Sequence, residues 1–341
     1  MDVGLYMDLR NPPRWQRPWH EFYAHALDTV EAAESMGIES IWLSEHHLFE
    51  DGYLPQPLTF AAAIAARTTR MRIGTAVLLA PLRSAIDVAE QAAIIDLISG
   101  GRLELGLGAG YRGPEFELFG QDISKRYLLL EKRAEAIKQL WEGGGFTPPP
   151  IQEQAPLWIG ANGPRAARLA GRLNAGMLTV ARKAQQPYRD ALVASGHSVE
   201  EARLVAPANM IVSDDPESAW QRIKPHLAYQ WGSYARYGAE GDGASSGNRG
   251  TVSISTIGDD VDPDSMRSAG PKMIPPAFDV VLPDEAVRRI ASWLGDMPVR
   301  RVLFWHSIAG MPDDLADRHV ELLATRVAPA LAEVGVQPAI P

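Results

Sequence analysis

Met36-Gly37-Ile38-Glu39-Ser40-Ile41-Trp42-Leu43-Ser44-Glu45-His46-His47 is the stretch whose reading decides the fold. Gly37 stands where a helix should end, because glycine takes the left-handed C-cap conformation without steric cost. Ile38, Ile41 and Leu43 then supply a short buriable strand. The strand closes on three adjacent ionisable side chains, Glu45, His46 and His47. A strand that is apolar to its last residues and then charged leaves a core at a functional edge. In a β/α barrel the C-terminal strand ends line the active site. Glu45 and His46 are therefore the catalytic candidates, with Glu45 or a backbone carbonyl orienting the imidazole. Neighbouring side chains on a strand alternate, so His47 is expected to point away from His46, and the three cannot ligate one ion.

Outward from this stretch, the same rhythm repeats. Residues 3–7 are a short apolar run, and Phe22, Tyr23, Ala26, Leu27, Val30 and Ala33 then fall on one helical face. Residues 59–67 read as a helix, 71–79 as a strand, 85–97 as a helix and 102–107 as a strand. Strands at 157–159, 176–180, 204–212 and 302–305 follow, with helices at 164–171, 187–194, 216–229 and 314–331. Regular alternation with short connections implies parallel strands joined by crossover helices. Eight such strands close into a (β/α)8 TIM barrel, whereas an open doubly wound sheet has fewer and a switch in order. The chain, residues 1–341, is read as one barrel domain. Residues 232–276, rich in Gly, Ser, Asp and Pro, break the rhythm as an irregular insertion before the last strand. Such a length without periodicity reads as a mobile cover near the mouth or as disorder.

Composition narrows the chemistry. The chain is 46% hydrophobic and 22% charged, with net charge -9. That balance opposes a nucleic-acid partner, which calls for a basic surface. The absence of cysteine removes disulfides, thiolate nucleophiles and cysteine metal sites. The remaining histidines show no ligand spacing, so no metal is expected, and no G-x-S-x-G elbow is present. A histidine beside a glutamate suits proton transfer instead. No apolar run reaches the roughly 18 residues of a membrane span, and the first residues lack the basic start of a secretory signal. A cytoplasmic protein is expected.

Two glycine clusters follow strands: Gly106-Leu107-Gly108-Ala109-Gly110 and Gly160-Ala161-Asn162-Gly163-Pro164. Glycine lets a backbone approach a ligand closely. A helix N-terminus offers unpaired N–H groups to phosphate, and Pro164 suits the first helical position. Arg126 is a candidate cation for the same phosphate. Taken alone, each cluster reads more readily as a tight turn, and Arg126 more readily as a solvated arginine.

Several pieces together resemble the bacterial luciferase-like flavin monooxygenases. They are Trp42-Leu43-Ser44-Glu45-His46-His47, Ile73-Gly74-Thr75-Ala76-Val77, Ala89-Glu90 with Asp96, and Ser99-Gly100-Gly101-Arg102-Leu103. Gly106, Gly108, Gly110-Tyr111, Glu115-Phe116 and Phe119-Gly120 follow. Pro156-Leu157-Trp158-Ile159-Gly160 and Leu282-Pro283-Asp284-Glu285 complete the set. They fall in order over most of the chain and thin out between residues 180 and 280. The resemblance implies a barrel with FMN laid across its C-terminal mouth. It implies that reduced FMN, supplied by a separate flavin reductase in a two-component system, activates dioxygen to oxidise a small organic substrate. His46 matches the family's catalytic histidine. Ala76 and Val77 match the bulge under the flavin ring, joined by a non-prolyl cis peptide. Asn162, Gly163 and Pro164, with Arg126, match the phosphate end, and Gly108, Gly110 and Ala161 fall among the cofactor-binding positions. Luciferase itself carries cysteine and arginine at the positions of Gly108 and Ala109, and Glu-Ser at those of Ala161-Asn162. These departures point to a reduced or rebuilt phosphate grip and away from light emission. The alternatives are a deazaflavin-dependent hydride-transfer enzyme of the same superfamily and a flavin-binding protein without turnover. A homodimer is expected. Trp231, Trp305 and His306 fit either an aromatic-lined substrate pocket or core packing.

Overall fold

In the computed structural model, residues 1–144, 147–160, 163–239, 262–267, 277–294 and 297–334 are described. The barrel strands are β1 (Asp2–Met7), β2 (Ser40–Leu43), β3 (Arg72–Thr75) with β4 (Leu78–Leu79), β5 (Leu103–Gly108), β6 (Leu157–Ile159), β7 (Gly176–Met177), β8 (Leu204–Ala208) and β11 (Val299–Trp305). Helices α1 (Trp19–Met36), α2 (Pro57–Arg67), α3 (Ala85–Ser99), α5 (Arg126–Glu142), α6 (Pro164–Arg172) and α7 (Arg182–Ala194) return the chain between them. All strand pairs are parallel. β1 lies between β11 and β2, with Leu5 opposite Phe304 on one side and Ile41 on the other. The pairing of Ile73 with Leu103 joins β3 to β5 and closes the ring. With β3 and β4 counted as halves of one strand, the result is the eight-stranded parallel barrel that the sequence predicted.

The deciding stretch folds as read. Gly37 caps α1 at φ 101°, its N–H bonded to the carbonyls of Ala33 and Glu34. Ile41, Trp42 and Leu43 are fully buried. Ile41 and Leu43 face the helices, while Trp42 joins Trp158, Val205 and Leu303 inside the barrel. Trp42 and Trp158 meet edge to face at 5.7 Å. Their bulk explains small neighbours: a Cβ on Gly74 would lie 2.4 Å from Trp42, and one on Gly176 2.1 Å from Trp158.

Elsewhere the pattern misled. Residues 204–212 are not one strand. β8 stops at Ala208, and β9 (Met210–Val212) pairs with β10 (Asp279–Val281) in a two-stranded side sheet. Helix α10 (Pro283–Leu294) follows, where the sequence reading placed only a family motif. The helix expected at 216–229 is α8 (Pro216–Ala239), so the first residues of the expected insertion are helical. The reason is a second apolar period: Tyr234 and Ala235 are buried, and Trp231 packs beside Tyr234. Glycine, arginine and serine between them dilute the composition and hide that period. Within the rest of the insertion, α9 (Pro263–Arg267) buries Met266 against Trp220 and Phe278. Residues 240–261 and 268–276 lie outside the described residues, and with them most of the expected mobile cover. Among the described residues no helix is long and apolar enough to cross a membrane.

The third strand is interrupted by a cis peptide between Ala76 and Val77, as the resemblance implied. Thr75 fixes the strand before the break: its Oγ1 donates to the carbonyl of Gly106 at 2.7 Å and accepts from the Gly106 N–H at 2.9 Å. Val77 then turns into the space left by two glycines. A Cβ on Gly108 would sit 2.2 Å from Val77 Cγ2, and one on Gly160 3.1 Å from Val77 Cγ1. Gly108→Ala should therefore destabilise the protein by about 1–3 kcal/mol through overpacking. Val77→Ala in the same chain should recover part of that loss. Urea unfolding midpoints of the two single variants and the double variant test this, and additive losses would sink the assignment.

Candidate active site at the barrel mouth

β5 ends at Gly108, and the chain turns at Gly110, with φ 68°. This carries Tyr111 and Arg112 over the mouth and starts α4 (Gly113–Leu118). Pro114 fits the opening turn of that helix. Glu115 stands in the same turn, where a carboxylate is favoured by the helix dipole. The side chain points back to the end of β2. There Glu115 Oε1 accepts from His46 Nδ1 at 2.7 Å, from the His47 backbone N–H at 3.0 Å and from Arg112 Nη1 at 3.3 Å. The second interaction of Arg112 Nη1 is with the His47 carbonyl at 2.6 Å. Burial alone would raise the Glu115 carboxyl. The bonds from His46 and the His47 N–H and the charge of Arg112 outweigh it, and the group is held below the usual carboxylate range.

A carboxylate on Nδ1 assigns the imidazole proton to that nitrogen. Nε2 of His46 is then the acceptor, 3.3 Å from the Tyr111 hydroxyl. Phe49, Tyr53 and Tyr234 surround the ring at centroid distances of 5.0, 4.8 and 6.2 Å. The Tyr53 hydroxyl accepts from Ser44 Oγ at 2.8 Å and from Tyr234 at 3.0 Å, and it lies 3.2 Å from the Tyr6 hydroxyl. Burial pushes Tyr6 up to about 12 and Tyr53 and Tyr234 well above the ordinary phenol value, so the three stay neutral.

His47 does point away from His46, stacking against Phe119 at 4.8 Å. Glu45 goes with it, which corrects the expected partnership. Glu45 Oε1 accepts from His47 Nε2 at 2.9 Å and from Arg83 at 2.5 Å, while Oε2 accepts from the Leu79 N–H at 2.6 Å. Residues 45 and 47 share one side of the strand end by alternation, so Glu45 reaches His47 rather than His46. Glu45 ties β2 to β4, and Glu115 is the residue that orients His46.

The other predicted positions divide in two. Ala76, Val77 and Gly108 form one contiguous shelf, and Gly110 packs on Phe116 beside it. At the far flank, Gly163 is the N-cap of α6 and Pro164 its first residue. Among the described residues no side chain caps that helix, and a Cβ on Gly163 would meet none of their atoms within 4 Å. Arg126 arrives there through Tyr127, whose ring lies 4.8 Å from the Arg126 guanidinium and 5.6 Å from that of Arg165. Arg165 is paired with Glu131 at 3.1 Å. For Arg126 no carboxylate stands within ion-pair distance among the described residues; it donates to the Ile123 carbonyl at 3.2 Å. An uncapped helix N-terminus, an open glycine and a guanidinium without a counter-charge fit a phosphate group. Ala161 and Asn162 lie outside the described residues. Trp305 packs on Tyr6 at 4.6 Å and donates to Asn209 at 3.2 Å. Among the described residues no group of three or more acids or histidines is placed to hold a metal.

Glu115 and Arg112 escaped the sequence reading as functional residues, although Glu115-Phe116 was part of the resemblance. Their signal was slight: an acid after Gly-Pro, following a strand end.

Residues 1–298 match the family of luciferase-like monooxygenases. Among curated relatives, the oxygenase component of flavin-dependent trigonelline monooxygenase from Acinetobacter baylyi is 30% identical over 171 residues, covering 46% of this chain and 48% of that one. The F420-dependent glucose-6-phosphate dehydrogenase of Amycolatopsis mediterranei is 31% identical over 183 residues, covering 47% and 54%. The chain thus spans about half the length of these two relatives. Among solved structures, monooxygenase RslO1 from Streptomyces bottropensis superimposes with a TM-score of 0.76 at 23% identity, covering 97% of this chain and 100% of that one, a likeness of fold. With this barrel and a match over residues 1–298, the chain belongs to the luciferase-like monooxygenase family.

Proposed function

We propose that the protein is a flavin-dependent monooxygenase that uses reduced FMN and dioxygen to oxidise a small organic substrate, with a separate reductase supplying the reduced flavin. The observation that carries this reading is His46, locked by Glu115 on Nδ1 with Nε2 toward the Tyr111 hydroxyl, at the end of the strand paired with the one that breaks at the Ala76-Val77 cis peptide. The oxygenase component from Acinetobacter supports the two-component arrangement. Bound reduced FMN would supply the two electrons that split dioxygen, one oxygen atom entering the substrate and the other leaving as water. Ala76 and Val77 would support the ring. Gly110 would edge the pocket, and Gly108 acts by giving Val77 its place. Arg126, Gly163 and Pro164, with Ala161 and Asn162 by resemblance, would hold the phosphate. His46 holds a proton at Nδ1 and exchanges one at Nε2, while Phe49, Tyr53 and Tyr234 keep water from it. Exposed Ile86, Ile94 and Ile98 along α3 support a homodimer, which would cover them.

A second reading is favoured by the F420-dependent relative. A histidine backed by a carboxylate also suits taking the proton from an alcohol as its hydride departs. Spectral titration with FMN, reduced FMN and the deazaflavin, followed by oxygen uptake, separates the two. Saturable oxygen consumption with reduced FMN supports the monooxygenase; tight binding of the deazaflavin alone overturns it.

His46→Ala should keep FMN affinity within about tenfold, or roughly 1.4 kcal/mol. Its product formation should fall by about 100- to 10,000-fold, with hydrogen peroxide released instead. His47→Ala should affect turnover far less. Normal product formation by His46→Ala would remove the proposed role.

Glu45→Ala should act on stability rather than on chemistry. It leaves Arg83 and His47 without their carboxylate in a buried site, a loss of about 3–5 kcal/mol. Thermal denaturation should show the drop, and an unchanged melting temperature would contradict the structural role.

A further inference from the structure

Four acidic side chains are buried at the mouth: Asp8, Glu45, Asp51 and Glu115. Three of them are matched by arginines, Glu45 with Arg83 at 2.5 Å, Asp51 with Arg10 at 2.7 Å and Glu115 with Arg112 at 3.3 Å. Asp8 is the exception. It is 4% exposed, and among the described residues no basic group stands within ion-pair distance of it and its buried Oδ2 has no hydrogen-bond partner. Two more buried polar atoms lack partners nearby, Nη1 of Arg10 and Nε2 of His306. All three residues line the floor of one cleft, which runs between α1 and α11 (Asp313–Leu322). The outer end carries His25, Arg17 and Asp313, whose side chains are 41%, 36% and 43% exposed. A polar cleft whose inner end holds three unpaired donors and acceptors is where ordered water is expected.

We propose that this cleft is a hydrated proton path into the barrel mouth, with Asp8 the carboxyl that passes the proton from cleft water to the phenol cluster beside His46. The destination rests on the monooxygenase reading; the path itself does not. Asp8 stands at the junction: it lines the cleft, directly follows the strand that carries Tyr6, and its backbone carbonyl accepts from the Leu54 N–H at 3.0 Å, next to Tyr53. Those hydroxyls are linked to one another, and the Tyr53 ring touches His46. Each proton that leaves the Asp8 carboxyl is replaced by one from cleft water, so the net transfer is one proton from solvent to the mouth. Facing Asp8 are Tyr6 and Arg10 from its own strand end, Asp51 and Tyr53 from the segment after β2, and Tyr234 from α8. Across the cleft stand His306 after β11, His25 on α1, and Asp313 and Asp317 on α11. Burial raises the Asp8 carboxyl and Asp51 adds to it, against the pull of Arg10, leaving it at about 7. Such a group is loaded and unloaded at neutral pH. Burial holds His306 down at about 4, so it stays neutral and serves as a fixed hydrogen-bonding post.

The sign of the stability effect follows. Between the unfolded carboxyl value of 3.8 and the folded one of about 7, the folded state keeps a proton that the unfolded state has lost. Stability therefore declines as pH rises through that window. Asp8→Asn should melt with a flatter pH dependence than the parent protein and gain on it at pH 8. Infrared titration of the cofactor-free protein in deuterated buffer should show one protonated-carboxyl band with a midpoint near 7, missing from Asp8→Asn. After rapid mixing into deuterated buffer, that band should shift at once in the parent. It should shift at least about tenfold more slowly when the cleft is plugged from either wall, by Ala26→Leu or Ala316→Leu. No such band, or exchange unchanged by both plugs, overturns the path. With reduced FMN and substrate, Asp8→Asn should slow product formation by about 100-fold and enlarge the solvent isotope effect, with partial recovery in Asp8→Glu. Parent-like turnover by Asp8→Asn overturns the destination while the infrared result still decides the path.

Discussion

The single oxygen Oε1 of Glu115 gathers the barrel mouth. It accepts from a side chain of β2's end, from the backbone of the same end and from the arginine that closes β5. A neutral side chain there could satisfy one of these donors but not the charge of Arg112. Removing the carboxylate would break a buried ion pair, a loss of about 3–5 kcal/mol in comparable settings. Orientation of His46 and cohesion of the ends of β2 and β5, two strands separated by β3, are thus one interaction. Arg112 extends the same network to the Tyr237 carbonyl at 3.1 Å, tying the end of α8 into it.

That coupling explains why much of the site was legible and its partners were not. The rule that singled out Glu45-His46-His47, an apolar strand ending in charge, is a local rule. It needs only the strand's own residues, and it located His46 correctly at the mouth. Which acid serves which histidine is a tertiary question. Glu45 lies next to His46 in sequence but shares a strand side with His47. Glu115 is distant in sequence and meets His46 only because the barrel closes. Applied to β1, the same local rule would have found Asp8 directly after the apolar run Val3 to Met7, and applied to β11 it finds His306. Both signals were present in the chain and were overshadowed by the adjacent histidines.

The alternation of strand and helix was legible because parallel strands buried on both faces leave long apolar runs between glycines and prolines. It failed where two patterns overlapped. Met210 to Val212 is as apolar as β8, and nothing local says that Asn209 redirects the chain to a different sheet. The aromatic residues of α8 beyond Tyr229 lie among glycine and serine, so their helical spacing carried little weight until Phe49 and Tyr53 were known to face them. Gly108 was legible as special, and the structure adds a reason that the sequence did not show. Gly108 was read as an approach for ligand, and its space is filled by Val77.

The two sides of the mouth differ in a way that bears on oxygen chemistry. Around His46 the neighbours are rings, and Nδ1 and Nε2 both have partners in Glu115 and Tyr111, although Glu115 Oε2 has none among the described residues. Around Asp8 three buried polar atoms, Asp8 Oδ2, Arg10 Nη1 and His306 Nε2, have no partner among the described residues, and their residues line a cleft that reaches charged surface side chains. A reaction that must keep water from a reactive oxygen species and still receive protons gains from separating the two. Hydroxyls can carry a proton across the boundary without carrying a water molecule with it, and Tyr6, Tyr53 and Tyr234 occupy that boundary with linked hydroxyls. Their displacement to high pKa keeps them protonated, so each can pass a proton only by receiving one. On the proposed path, the ring-lined surroundings of His46 and a hydrated cleft at Asp8 would be complementary properties of one mouth.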